Sequence, residues 1–60
     1  MTHTQAIAIL AAGNEELAWA VAQMDEGLNE GVTKAQWLVF AYRCIENQKA
    51  IDAAYEASVA

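Results

Sequence analysis

The sequence predicts an all-α fold, an antiparallel helical hairpin that assembles into a helical-bundle oligomer. Three observations carry this. Proline is absent and glycine occurs only at 13, 27 and 31, so almost nothing breaks a helix. Apolar residues recur at alternating steps of four and three along the second half. The run Trp37-Leu38-Val39-Phe40-Ala41-Tyr42 is apolar without interruption, and at about 100° per residue it wraps the helix axis. A helix apolar all round needs neighbours on every side, and 60 residues supply too few of them.

The first predicted helix spans about 4–28, continuous or bent at Gly13. A seven-residue register runs through it, with small residues at Ala6, Gly13, Ala20 and Gly27 and large ones at Leu10, Leu17 and Met24. Small residues once per heptad would let another helix approach closely. The competing reading is a three-helix chain with a short leading helix. There Gly13 ends the first helix and Asn14 caps the next, placing Glu15 and Glu16 in its first turn, where the helix dipole favours acids. An interior glycine costs about 1 kcal/mol against alanine, too little to force the break, and the continuous or bent form is the leading expectation. On that wheel Trp19 lies opposite the Leu10-Leu17-Met24 stripe, so a simple hairpin leaves its ring in water.

Residues 27–32, with two glycines and an asparagine, read as the helix-helix connection. Thr33 and Gln36 then have capping-box spacing, so the second helix spans about 33–58. Its seam is Trp37, Ala41, Cys44, Gln48, Ile51 and Tyr55. A second apolar strip, Leu38-Tyr42-Ile45, lies about 100° round and fades after Ile45. The whole chain reads as one small helical domain, 1–60, and its layout resembles that of small plasmid-encoded hairpin dimers in architecture alone.

Composition narrows the function. With 57% apolar and 18% charged residues the chain is not a disordered tail. The net charge of −5 resides in the half before Lys34, and no basic stripe exists to follow a phosphate backbone, so nucleic acid is not an expected partner. The apolar stretch from Ala6 to Ala12 is too short for a signal sequence or a membrane span. A cytoplasmic protein is expected, and a lone cysteine agrees with that. The chain opens with Met and carries no obvious tag, which fits a complete small gene product.

No residue grouping names a reaction. His3 has no carboxylate or thiol near it in sequence to orient it as a base. Cys44 sits in the seam and behaves there as a small apolar side chain, with Arg43 pointing about 100° away. Gln48 is a polar interruption that either fixes helix register or marks where the seam opens to water. No catalytic residue, cofactor or metal ligand is expected.

The candidate site is therefore a protein-binding or oligomer interface of Trp19, Trp37, Leu38, Phe40, Tyr42 and Ile45, since tryptophan and tyrosine dominate binding hot spots. Asp25, Glu26 and Glu30 form a candidate acidic docking surface, unless the second helix's N-terminus and Lys34 neutralise them. The leading function is a non-enzymatic interaction protein that associates with itself and binds another protein, in the manner of phage or plasmid regulators and inhibitors of host machinery. One alternative is an oligomeric protein sequestering a small molecule or nucleotide in a pocket around Trp19, Trp37 and Tyr42. The other is a purely structural oligomerisation module.

Overall fold

The structure is a computed structural model, and it describes residues 2–25 and 31–59. Those residues form three helices: α1 (His3–Ala11), α2 (Glu15–Met24) and α3 (Lys34–Val59). The single helix expected over 4–28 is thus replaced by two short ones, in the three-helix arrangement that was the alternative.

The break is built by three consecutive residues. Ala12 caps α1, and Gly13 follows at φ +95°, the left-handed region that only glycine enters freely. The Gly13 N–H donates to the Leu10 carbonyl at 2.9 Å and the Asn14 N–H to the Ile9 carbonyl at 3.3 Å. That pair of bonds is a Schellman closure, and it satisfies carbonyls that a helix end leaves bare. Asn14 then caps α2, its side-chain oxygen accepting from the Leu17 N–H at 3.1 Å, with Glu15 and Glu16 in the first turn.

Breaking the helix lets α1 and α2 pack on each other. His3, at the start of α1, lies beside Asp25, just past the end of α2, so the two run antiparallel. Their joint face holds Ala6, Leu10, Ala18, Val21 and Ala22, and α3 closes it with Trp37 and Ala41. The Leu10-Leu17-Met24 stripe does not survive the turn. Leu10 is buried while Leu17 and Met24 are exposed, because the reversal at Gly13 resets the helical phase.

Both remaining helix starts carry capping boxes. At α1, the Thr2 side chain accepts from the Gln5 N–H and Gln5 Oε1 accepts from the Thr2 N–H. At α3, the Gln36 N–H donates to Thr33 Oγ1 at 3.2 Å and the Thr33 N–H to Gln36 Oε1 at 3.0 Å, as the sequence spacing predicts. Most of the connection expected at 27–32 falls outside the described residues; Gly31 has φ +89°, and Val32 packs against the core.

The core is small. Four of its seven buried residues are alanines, which bring helices together but remove little apolar area from water. The chain measures 42 × 19 × 18 Å. The long dimension belongs to α3, whose 26 residues extend about 39 Å, against roughly 14 Å for each of the others. The short pair covers only the first half of α3, and from Glu46 to Val59 every residue is exposed.

Candidate functional site

The sequence places six interface residues together, and the structure divides them into three sets. Trp19 and Trp37 belong to the interior of the chain. Trp37 is 3% exposed, and the half-buried Trp19 ring packs on it with centroids 5.8 Å apart and planes tilted by 56°, a favoured aromatic geometry. The expectation of a Trp19 ring in water is corrected: α2 turns independently of α1, which swings position 19 toward α3.

Leu38 and Ile45 are half-buried against the core. Phe40 and Tyr42 stay largely exposed, as does the neighbouring Val39. Phe40 and Val39 therefore present bare apolar surface on the outer side of α3. Tyr42 is engaged, its hydroxyl donating to Glu15 Oε1 at 2.7 Å. That bond, then partial desolvation, then the carboxylate charge raise the Tyr42 pKa above its ordinary 10.0.

Of the three acidic candidates, only Asp25 lies among the described residues. Asp25 is half-buried, and Oδ2 accepts the His3 backbone N–H at 2.5 Å while lying 3.6 Å from His3 Nδ1. A carboxylate at the N-terminus of α1 offsets the positive dipole end and takes up one of its orphan N–H groups. Glu26 and Glu30 lie outside the described residues. Lys34, expected to neutralise this cluster, pairs with Glu16.

The His3–Asp25 neighbourhood is what sequence reasoning missed, since 22 residues separate the two and only the α1–α2 reversal joins them. Geometrically it resembles the base and orienter of a catalytic dyad. His3 Nε2, the atom that would have to meet a substrate, is buried and without a hydrogen-bond partner among the described residues. Among the described residues no group of three His, Cys, Asp or Glu side chains comes together to hold a metal ion, and no helix is long and apolar enough to cross a membrane.

One concave feature lies elsewhere. A groove of about 530 Å³ opens between α1 and the middle of α3, walled by Thr4, Ile7, Ala8 and Ala11 on one side and by Cys44, Ile45, Gln48, Lys49 and Asp52 on the other. Its floor is apolar and its rim polar. The aromatic pocket imagined around Trp19, Trp37 and Tyr42 does not coincide with it. The seam of α3 runs through the groove and beyond it: Gln48, Ile51 and Tyr55 fall on the same side of the helix as Trp37, Ala41 and Cys44, yet all three are exposed.

No family model matches the sequence, and no similar curated protein or solved structure was found. What can be said of class comes from the fold: an all-α chain of two short helices laid on one long one.

Proposed function

We propose that this chain is a non-enzymatic helical interaction protein, which associates with itself and acts by occupying the surface of another protein. The observation that supports this is the mismatch between α3 and its cover. A seam designed for helix packing runs the length of α3, and α1 and α2 reach only its first half. An exposed apolar helix face of this length is an interaction surface more often than a neutral one. The outer residues Val39 and Phe40 supply a second, separate apolar site, at the end of α3 where the fold is best supported.

Self-association is tested by mass in solution from light scattering across a dilution series. A species heavier than the 6.5 kDa chain is expected, and a monomer throughout overturns that half of the reading. The second half is tested by capture from a cell lysate with the wild type and Phe40→Glu in parallel. A stoichiometric protein partner lost in the variant is the expected result. Capture of no protein at all would leave the purely structural module as the better description, and stabilisation by a metabolite or nucleotide in a thermal-shift screen would favour the sequestering one.

A further inference from the structure

The uncovered half of α3 raises the question of what covers it. Compact folded chains of 6.5 kDa expose about 3,800 Å², and this one exposes 4449 Å². The radius of gyration is 13.1 Å, where a compact chain of this length has roughly 10 Å. The surplus of roughly 600 Å² approaches the ~800 Å² that each partner contributes to a standard stable interface. The fold therefore carries close to one interface's worth of additional surface.

Charge indicates what fits there. All three cations of the chain, Lys34, Arg43 and Lys49, lie on α3 and balance Glu46, Asp52 and Glu56. Within the exposed segment 46–59 Lys49 stands against Glu46, Asp52 and Glu56, so an approach that sets Lys49 of each copy beside an acid of the other offsets part of the segment's negative charge. An antiparallel approach also pairs opposite dipole ends. Lys49 and Asp52 both line the groove and stand three residues apart. A two-fold axis between Ala50 and Ile51 brings Lys49 of each copy level with Asp52 of the other, and the same operation makes a second, identical pair.

We propose that the exposed half of α3 is an interface with a second copy of this chain: the two 46–59 segments lie antiparallel, each filling the α1–α3 groove of the other, with Lys49 opposite Asp52. The overhang of 14 residues is about 21 Å long; at this register residues 46–55 of the two copies lie side by side, and 56–59 of each run along 42–45 of the other. At this register Tyr55 of one copy stands level with residue 46 of the other, within reach of the floor formed by Ile7 and Ile45. Ile51 lies near the axis. Gln48 Nε2 donates to Asp52 Oδ1 of its own chain at 2.9 Å, which holds that carboxylate beside the axis. This assignment rests on the self-associating reading above and adds to it the surface, the orientation and the pairing.

The test uses residues that are exposed in the single chain, so their substitution leaves α1, α2 and the core intact. Sedimentation equilibrium is run on the wild type, Tyr55→Glu, Lys49→Glu, Asp52→Lys and the Lys49→Glu/Asp52→Lys double variant, with helicity followed by circular dichroism. Tyr55→Glu should raise the dimer dissociation constant at least about 100-fold, since an anchor is lost twice and a charge enters each groove. Each single charge reversal should raise it about fivefold or more, and the double variant should recover most of that loss, because the pairs re-form with signs exchanged. A wild-type chain that is monomeric at all concentrations overturns both this inference and self-association. A dimer indifferent to Tyr55→Glu, or one in which the double variant is no better than the singles, overturns only the interface and its register.

Discussion

The indole rings of Trp19 and Trp37 pack 5.8 Å apart at 56°, and this contact joins the short helices to the long one at the point where α3 is most deeply covered. Trp37 is the one large aromatic side chain in a core otherwise built of alanine, leucine and valine. Its removal has no local remedy. Trp37→Ala should cost about 3–5 kcal/mol, comparable to the whole stability of a chain this short, and the helical signal should collapse at room temperature. Trp19→Ala, at a half-exposed position, should cost roughly half as much and leave a folded chain with a lower thermal midpoint. Equal effects of the two substitutions would contradict the burial difference.

Gly13 carries the turn between α1 and α2 at φ +95°. A Cβ placed there meets nothing within 4 Å, so any loss on substitution comes from the backbone alone. Gly13→Ala should destabilise by about 1–2 kcal/mol, and Gly13→Asn by less, because asparagine tolerates the left-handed region better. Chemical denaturation of the three proteins gives the order. An alanine variant as stable as the wild type would mean that the chain had relaxed into the continuous first helix favoured by the heptad register.

That register explains how far the fold could be read in the sequence. The all-helical character, the start of α3 at the Thr33–Gln36 box and the Asn14 cap are local signals, written within four residues of where they act. The choice between one helix and two is not local. A break at Gly13 costs little either way, and the balance is tipped by Ala6, Leu10, Ala18, Val21 and Ala22, which become a shared buried face only once the chain reverses. The same limit governs the site. Phe40 stands out from its own neighbours in sequence, whereas the Trp19–Trp37 contact and the His3–Asp25 pair depend on the angle at that turn.

Asp25 holds the open end of the α1–α2 pair together by accepting the His3 N–H. A charged acceptor in a half-buried place contributes more than a surface ion pair, typically about 1.5–3 kcal/mol, with the dipole of α1 adding to it. Asp25→Ala should therefore cost about 2 kcal/mol in denaturant unfolding. Asp25→Asn keeps an acceptor oxygen and loses the charge, and should cost about half of that. If both variants match the wild type, the carboxylate is not fastening α1 to α2.

Tyr42 and Glu15 link α3 to the first turn of α2, and their bond makes a pH prediction with a definite sign. The hydroxyl donates to the carboxylate, so the bond exists only while Tyr42 is protonated, and ionising it would set two negative charges side by side. Its pKa in the folded chain is raised above 10.0 for these reasons. A group that holds its proton more tightly folded than unfolded stabilises the fold below the unfolded pKa, and this contribution fades as pH rises through the raised folded value. The fold should thus lose stability on the alkaline side of pH 10, with no matching change from this pair near neutrality. Absorbance titration of tyrosinate in a Tyr55→Phe background isolates Tyr42. Glu15→Ala should bring its midpoint back toward 10 and flatten the alkaline loss, while an unchanged midpoint would show that Glu15 is not the cause.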